Sequence, residues 1–399
     1  MDDFKYANRM ERMNATEIRD LLRLTAKPEI ISFAGGLPAA ELFPVREIAA
    51  VSAEYIITEG RTMLQYGAVE GRTSLIKKIC DRMLKNFGTK VTVDEVMVLD
   101  GSQQGLDFAG KIFLNPGDVV LCESPTYMGM LNALDAYECQ YVEVPTDEFG
   151  IIPSELEKIL QTTPRVKLCY VIPDFQNPTG ICWTMERRRQ FMEVVNKYNL
   201  PVIEDNAYYE LRFEGERLPA LKSLDTKGLV MFMGTFSKIF CPGLRLGWLA
   251  ADPVLIDKFA SIKQASVLMT SNLDMAVCDG YMEIYDLDAH VEKLKALYHK
   301  RRDLIFECME KEFPPGVEWT KPQGGLFLWL TFPKEISALD VFRKCISYNV
   351  AGVIGDCFFP NNKNDRHMRI NYSCMPEDKI KEGIARMGKA IKEVMAENK

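Results

Sequence analysis

The sequence has very few histidines and no cysteine pattern typical of a metal site. Only His290, His299 and His367 occur among 399 residues, far from any cysteine or acidic pair at ligand spacing. The 11 cysteines are scattered, and no Cys-x-x-Cys pair occurs. Zinc sites and Ser-His-Asp sites need such residues, so we expect neither. Scattered cysteines are typical of free thiols in a reducing compartment.

Several other classes of protein are excluded by what the sequence lacks. No apolar run approaches the roughly 18 residues of a membrane helix, and the start, MDDFKYANRMERM, does not resemble a signal peptide. No Gly-x-Gly-x-x-Gly or P-loop motif indicates a nucleotide site. The net charge is −7, whereas a nucleic-acid reader needs a basic face. We therefore predict a cytoplasmic protein with no nucleic-acid and no membrane partner.

Short apolar runs alternate with helical stretches from about residue 94 onward. The runs are 96–100, 119–123, 141–145, 166–173, 201–206, 229–233 and 244–250. Alternation at this spacing predicts an α/β fold with a mostly parallel sheet wrapped by helices. Near-continuous apolar strands fit a sheet that is buried on both faces. The link from Lys238 to Arg245 is too short for a helical crossover, so the last strand is expected to run antiparallel.

A second, smaller α/β region follows a mostly helical stretch. We predict three parts: an N-terminal arm over 1–30, a large domain over 31–280 and a small domain over 281–399. Within the arm, the stretch NATEIRDLLRLT predicts a helix, because Asn14 and Glu17 resemble a capping box. The two domains are expected to pack closely, with a cleft between them.

Polar side chains follow the first two strands of the predicted sheet, where ligands of an open parallel sheet bind. Ser102 and Gln103 open a helix after the first strand, and a helix start with a hydroxyl is an anion site. A plain N-cap is the alternative for Ser102, and the two interpretations are compatible. After the second strand comes Tyr127, either a stacking partner for a flat ring or a half-buried aromatic side chain.

The next two strand ends supply an amide and a carboxylate. Asn177 precedes a proline, which is a turn signal, but its amide also suits a ring hydroxyl. Asp205 closes an apolar strand, and a carboxylate there is unfavourable unless it is paired. A protonated heterocyclic nitrogen would be a suitable partner, with Tyr208 near a ring oxygen. The alternative is an aspartate that caps the next element.

The stretch GTFSKIFCPGLRLGW, which begins at Gly234, gathers two hydroxyls, an amine and a guanidinium. Thr235, Ser237 and Arg245 suit a phosphate. The amine of Lys238 suits a Schiff base with an aldehyde. By itself the stretch could be a surface loop with a solvated lysine. Together, the groups that follow successive strands are those that pyridoxal 5'-phosphate needs.

Over nearly its whole length, the sequence resembles the fold-type I pyridoxal-phosphate enzymes, specifically the class I aminotransferases. The motifs are FQNPTG (Phe175–Gly180), EDNAY (Glu204–Tyr208), SKIFCPGLRLG (Ser237–Gly247) and RINYS (Arg369–Ser373). IRDLLRLT and ISFAGGLPAAELFP are similar to the branch of 2-aminoadipate and kynurenine aminotransferases. The resemblance implies amino transfer from an L-amino acid to a 2-oxo acid, with 2-oxoglutarate expected. The donor range would be broad, or 2-aminoadipate-, aromatic- and branched-chain-like.

The resemblance also implies roles for the residues that bind the cofactor. Lys238 is the Schiff-base lysine and proton carrier, and Asp205 pairs with the pyridinium nitrogen. Asn177 and Tyr208 bond the ring hydroxyl, and Tyr127 stacks on the ring. The residues expected to hold the phosphate are Ser102, Gln103, Thr235, Ser237 and Arg245. Lys238, Asp205 and Tyr208 form the predicted catalytic set.

Substrate binding and assembly are implied in the same way. Arg369 is expected to clamp the substrate α-carboxylate, beside Asn177 and Gly36. Arg19 would meet the side-chain carboxylate of acidic substrates, unless it belongs to a solvated helix face. Tyr66 would reach the phosphate of the neighbouring subunit, which implies a homodimer with shared active sites.

Two other functions stay open at the level of sequence. The same cofactor site supports β-lyase or decarboxylase chemistry, because the bond that breaks depends on its alignment with the ring. Some transcription regulators carry an aminotransferase-like domain as a ligand sensor, preceded by a DNA-binding region. Only about 30 residues stand before ISFAGG, fewer than a typical domain, so we expect an enzyme.

Overall fold

The computed structural model of the chain describes residues 4–12, 25, 27–361 and 366–398. The helix predicted over residues 14–25 falls almost wholly outside these ranges. Arg19, one of the predicted substrate-binding residues, also lies outside them. Within the described part of the chain, no helix is long and apolar enough to cross a membrane.

Fifteen strands are formed by the described residues. They are β1 (Ile31–Ser32), β2 (Val96–Leu99), β3 (Val119–Glu123), β4 (Gln140–Val144), β5 (Thr146–Asp147), β6 (Gly150–Ile151), β7 (Val166–Val171), β8 (Val202–Asp205), β9 (Val230–Thr235), β10 (Gly247–Ala250), β11 (Glu318–Trp319), β12 (Phe327–Thr331), β13 (Val350–Ala351), β14 (Val353–Ile354) and β15 (His367–Asn371).

Twelve α-helices are formed by the same described residues. They are α1 (Arg9–Arg12), α2 (Val45–Met63), α3 (Thr73–Phe87), α4 (Ser102–Phe113), α5 (Met128–Leu134), α6 (Pro153–Thr162), α7 (Met185–Tyr198), α8 (Pro253–Ser266), α9 (Asn272–Ile284), α10 (Leu287–Glu312), α11 (Ala338–Ser347) and α12 (Glu377–Glu397).

Seven strands make the main sheet, in the order β2-β10-β9-β8-β7-β3-β4. Every neighbouring pair is parallel except the two that involve β10, which runs antiparallel to both β2 and β9. The predicted mostly parallel sheet and its one reversed strand are confirmed. The reversal follows from the short link between β9 and β10, since a parallel connection needs a crossover of a dozen or more residues.

Helices cover both faces of this sheet. On one face, α4, α5 and α8 bury Phe108 and Phe259 against the strands. On the other face, α6 and α7 bury Leu156 and Phe191. Strands β2, β3, β8, β9 and β10 are buried at every position, which explains their near-continuous apolar sequences. The carboxyl ends of the parallel strands therefore meet at one edge, where the polar residues that follow them converge.

A second sheet lies in the C-terminal part of the chain. It has four antiparallel strands in the order β11-β12-β15-β14, and Arg369 lies on β15 opposite Trp329 of β12. The short β1 pairs in parallel with β13, so the segment at Ile31 joins this C-terminal part. A single apolar cluster includes residues of both parts, such as Trp248 and Leu328. The division into domains at residues 30 and 280 stays a prediction.

Candidate active site

One cavity of about 520 Å³ opens at the carboxyl edge of the main sheet. Twelve of the 14 predicted site residues line it: Gly36, Ser102, Gln103, Tyr127, Asn177, Asp205, Tyr208, Thr235, Ser237, Lys238, Arg245 and Arg369. Of the other two, Tyr66 does not line it, and Arg19 lies outside the described residues. The cavity is bordered by both sheets, because Arg369 comes from β15 and Asp205 ends β8.

An anion cup is formed at one end of the cavity by Gly101, Ser102 and Arg245. Helix α4 begins at Ser102, and the first backbone N–H groups of a helix have no partner within it. Gly101 has a φ of 83°, and a Cβ placed on it would stand 2.5 Å from Nη2 of Arg245. Only glycine lets the guanidinium lie this close to the start of the helix. The cup therefore combines a helix N-terminus with a cation, as a phosphate site requires.

The turn after β9 presents the hydroxyls and the amine. The Thr235 hydroxyl accepts the backbone N–H of Ser237 at 3.1 Å and donates to the carbonyl of Leu246 at 3.3 Å. Thr235 thus stabilises the turn that carries Ser237 and Lys238 into the cavity. Arg245 follows in the left-handed region, with a φ of 53°. Its guanidinium is exposed and forms no salt bridge with any described residue.

The side chain of Gln103 is not free to bind a phosphate. Its side-chain amide donates to the carbonyl of Gly129 at 2.7 Å, which connects α4 to α5. The backbone N–H at the helix start is the group that Gln103 leaves for an anion. Position 129 favours glycine, since a Cβ on Gly129 would stand 2.3 Å from the Tyr127 ring. The bare backbone leaves room for that ring at the cavity wall.

Asp205 is a buried carboxylate with only one oxygen hydrogen-bonded. Its Oδ2 accepts the Tyr170 hydroxyl at 2.7 Å, and its Oδ1 has no partner among the described residues. Burial raises the pKa of Asp205 to about 6, while the Tyr170 hydrogen bond and the charge of Lys238 act in the opposite direction. A buried oxygen without a donor is unfavourable, so the site fits a ligand with a protonated ring nitrogen.

Lys238 has an amine that loses its proton more easily than an ordinary lysine. Burial, followed by the charges of Arg369 and Arg245, lowers the pKa of Lys238 to about 8, and Asp205 opposes this shift. Nζ donates to the carbonyl of Gly36 at 2.8 Å, which fixes the amine inside the cavity. With this pKa, part of the Lys238 amine is neutral near neutral pH, as a nucleophile or a general base requires.

Arg369 is a buried guanidinium without a carboxylate partner in the described part of the chain. Nη1 donates to Oδ1 of Asn177 at 2.7 Å, Nη2 donates to the carbonyl of Ala34 at 2.6 Å, and Nε has no described partner. The guanidinium lies over the ring of Phe327, 4.2 Å from its centroid. Burial lowers the pKa of Arg369 to about 10, so it stays charged at neutral pH. A buried, unpaired cation predicts an anionic ligand.

Asn177 links the guanidinium of Arg369 to the hydroxyl of Tyr208. The Asn177 amide nitrogen donates to the Tyr208 hydroxyl at 3.3 Å, while its oxygen accepts from Arg369. The ring of Phe327 meets Tyr208 edge-on, with centroids 5.7 Å apart. A Cβ on Gly36 would stand 2.9 Å from Phe327, so glycine permits the close approach of the N-terminal segment.

Two residues of this site were not predicted from the sequence. Tyr170 lies inside β7, and its only signal is one hydroxyl in a buried apolar strand. Phe327 opens β12 and packs between Arg369 and Tyr208. Strand-end reasoning does not find either residue, because both act from within a strand. Tyr66, which is expected at the phosphate of the neighbouring subunit, is 76% exposed and does not line the cavity of its own chain, so its role stays a prediction.

The chain is similar to characterised proteins over nearly its full length. The family model "Aminotransferase class I and II" matches residues 28–387. Aromatic-amino-acid aminotransferase 1 of Thermococcus litoralis is 39% identical over 387 residues, which are 96% of this chain and 93% of that protein. Among solved structures, Pyrococcus horikoshii kynurenine aminotransferase in complex with PMP has 38% identity and a TM-score of 0.93, with 97% of each chain covered. Thermus thermophilus LysN, an α-aminoadipate aminotransferase complexed with N-(5'-phosphopyridoxyl)-L-leucine, has 34% identity and a TM-score of 0.91, with 98% of each covered.

The anion cup gives a first testable prediction, the effect of Gly101→Ala. The substitution forces a side chain into positive φ and pushes against Arg245, so binding of pyridoxal 5'-phosphate should weaken at least about tenfold. Equilibrium dialysis of the apoprotein against the cofactor measures this change. Gly243→Ala is the matched control, because a Cβ there would meet nothing within 4 Å. Equal affinities for the two variants would contradict the assignment of the cup.

Proposed function

The chain belongs to the class I and II aminotransferases, and we propose that it transfers amino groups from aromatic and 2-aminoadipate-like L-amino acids to 2-oxoglutarate. It has the fold of the fold-type I pyridoxal-phosphate enzymes, and pyridoxal 5'-phosphate is its cofactor. The proposed donors are those for which its relatives are named, an aromatic-amino-acid, a kynurenine and an α-aminoadipate aminotransferase. The observation that carries the proposal is one cavity in which Lys238 lies with two incompletely paired buried charges, Asp205 and Arg369.

The residues of the cavity fit the cofactor group by group. Bound pyridoxal 5'-phosphate supplies an aldehyde that reacts with amines and a ring that accepts electrons from the substrate carbon. We assign its phosphate to the anion cup together with the turn at Ser237. Asp205 would hold the proton of the ring nitrogen through Oδ1, while Asn177 and Tyr208 would bond the ring oxygen. Tyr127, at the wall of the cavity, would lie against the ring.

Lys238 would be the group that moves the proton. Because its pKa is lowered to about 8, Nζ is partly neutral near pH 7 and accepts a proton from the substrate α-carbon. Within the same half-reaction, Nζ would then deliver that proton to the cofactor carbon, and hydrolysis would free the 2-oxo acid. The carbonyl of Gly36 accepts from Nζ and keeps the amine pointed into the cavity. Burial, which removes competing water, would keep the proton on this path.

Arg369 would hold the α-carboxylate that every amino acid and 2-oxo acid substrate shares. Its bonds to Asn177 and to the carbonyl of Ala34 fix the plane of the guanidinium. A planar guanidinium binds a carboxylate through two parallel hydrogen bonds. For acidic donors we retain Arg19 as the proposed partner of the side-chain carboxylate.

We further propose a homodimer in which Tyr66 serves the site of the partner subunit. Tyr66 and Leu64 are exposed beside Val267 and Leu268, which are also exposed. The two segments lie together, because Asn272 donates to the carbonyl of Gln65 at 2.7 Å. An apolar patch of this kind is typical of a protein interface. A second copy of the chain that covers this patch would bring the cavity of the partner subunit near Tyr66.

Location and domain division complete the proposal. All 11 cysteines are free thiols, which supports a reducing compartment such as the cytoplasm. A large domain over 31–280 and a small domain over 281–399 are supported by the two separate sheets. The arm over 1–30 would continue through β1, which pairs with the small domain.

The proposed reaction is tested by product analysis of the holoenzyme with a panel of donors. With 2-oxoglutarate present, aromatic amino acids and 2-aminoadipate should give their 2-oxo acids and glutamate in equal amounts. Lys238→Ala should abolish turnover, because it removes the proton carrier, whereas an exposed control, Lys258→Ala, should leave it unchanged. Release of pyruvate and ammonia from cystathionine, without glutamate, would contradict transamination and indicate a β-lyase.

Substrate recognition gives another prediction, in which the effects of two arginine substitutions differ. Arg369→Lys keeps the positive charge but loses the planar guanidinium that binds a carboxylate through two hydrogen bonds. We therefore expect kcat/KM to fall by about a hundredfold for every donor. Arg19→Ala should lower kcat/KM only for donors with an acidic side chain. Steady-state kinetics with phenylalanine and 2-aminoadipate distinguish the two patterns. Equal losses on both donors for Arg19→Ala would remove Arg19 from the proposal.

The shared site gives a further prediction, based on hybrid dimers. Tyr66→Asp sets a negative charge against the phosphate, and Lys238→Ala removes the amine, so each variant alone should be inactive. If Tyr66 serves the partner's site, each hybrid dimer has one intact site, and an equal mixture should recover about a quarter of the wild-type activity. Refolding the variants together and apart provides the comparison. No recovery in mixtures shown to contain hybrid dimers would place Tyr66 at its own site.

A further inference from the structure

The hydroxyl of Tyr170 is buried directly behind the carboxylate of Asp205. Tyr170 is fully buried, and its hydroxyl donates to Oδ2 of Asp205 at 2.7 Å. It stands outside the four motifs that carry the family resemblance, five residues before the start of FQNPTG. A buried tyrosine hydroxyl needs a hydrogen-bond partner, and this one has a charged partner in the active site.

The register of the main sheet produces this contact. Tyr170 of β7 lies opposite Ile203 of the neighbouring parallel strand β8. Side chains two residues apart on a strand point to the same face, so Asp205 shares the face of Ile203 and Tyr170. Diagonal neighbours of this kind are within reach of a tyrosine side chain. The backbone of two central strands therefore fixes the distance, and no mobile loop is involved.

The hydrogen bond from Tyr170 makes the two oxygens of the Asp205 carboxylate different. Oδ2 is held by Tyr170, and Oδ1 is left without a partner among the described residues in a side chain that lines the cavity. With one oxygen fixed, the carboxylate no longer rotates freely about its χ2 bond. The direction of Oδ1 is thereby set before any ligand arrives, which is the property expected of a preorganised site.

The same hydrogen bond changes the basicity of the carboxylate. Burial raises the pKa of Asp205, and the hydrogen bond from Tyr170 opposes that increase. Burial, with the charge of Asp205, also holds the pKa of Tyr170 well above its ordinary value, so its hydroxyl stays a donor. A carboxylate that already accepts one hydrogen bond is a weaker base towards a second donor.

We propose that Tyr170 is a positioning residue that aims Oδ1 of Asp205 at the ring nitrogen of the cofactor and keeps the shared proton on that nitrogen. The inference rests on the proposed pairing of Asp205 with the ring nitrogen. Without the Tyr170 hydroxyl, Asp205 would be the stronger base, and the proton would move from the nitrogen towards Oδ1. The ring would then accept electrons from the substrate carbon less well.

The direct measurement is the ¹⁵N NMR shift of the pyridine nitrogen in holoenzyme reconstituted with ¹⁵N-labelled pyridoxal 5'-phosphate. For Tyr170→Phe, the signal should move from the protonated towards the neutral value. The half-reaction with an amino donor should slow between about tenfold and a hundredfold, the range expected for one hydrogen bond to a charged group. Because this spectrum reports a protonation state, loss of stability alone does not produce the shift.

Tyr209→Phe is the matched control, since it removes the hydroxyl of another buried tyrosine, which donates to the carbonyl of Leu218 at 2.9 Å. Its nitrogen signal should equal that of the wild type. Should Tyr170→Phe not fold, Tyr170→3-fluorotyrosine keeps the shape and strengthens the donor, so the signal should stay at, or move further towards, the protonated value. A shift towards the neutral value in that variant would overturn the inference.

The outcomes separate this inference from the proposed function. Asp205→Asn should give the neutral nitrogen value; a protonated signal in that variant would overturn both the pairing of Asp205 and the inference about Tyr170. A wild-type signal in Tyr170→Phe, together with a neutral signal in Asp205→Asn, would overturn the inference alone. Absence of transamination in the wild type, with the nitrogen shifts as expected, would refute the proposed function and leave the role of Tyr170 supported.

Discussion

The structure depends on two buried charges that the chain itself leaves incompletely paired. Arg369 has no carboxylate among the described residues, and Asp205 has one oxygen without a donor. Removing an ion from water costs several kcal/mol unless it is paired. The fold tolerates both because each is held through its other atoms, Asp205 by Tyr170 and Arg369 by Asn177. Two sheets place these charges across one cavity, where a protonated ring nitrogen and a carboxylate would complete the pairing that the described residues leave open.

Lys238 is best understood by comparison with Lys263, because burial lowers the pKa of each to about 8. Nζ of Lys263 donates to the carbonyls of Val69 and Val98, both at 2.6 Å, and Lys263 does not line the cavity. Its amine is used to join two backbone segments. Lys238 faces the cavity between Asp205 and the arginines instead. A lowered pKa therefore does not identify a reactive amine by itself; the surrounding groups and the access to a ligand do.

Most of the site could be predicted from the sequence because it follows one simple rule, that polar residues come directly after buried apolar strands. Asp205 and Lys238 were found in this way, and the short link after Lys238 also indicated the reversed strand. The rule does not find Tyr170, whose role depends on the register of β7 against β8. It also does not show that the side chain of Gln103 bonds Gly129, or that β1 pairs with β13, since both contacts join segments far apart in the chain.

We expect Lys238 to be the amine to which the cofactor attaches, and chemical trapping identifies the attached residue. The holoenzyme would be reduced with sodium borohydride, digested and mapped by mass spectrometry. A single peptide should carry the mass of the reduced cofactor, with the modification on Lys238. Cofactor mass on Lys263 or on any other lysine, with Lys238 unmodified, would contradict this expectation.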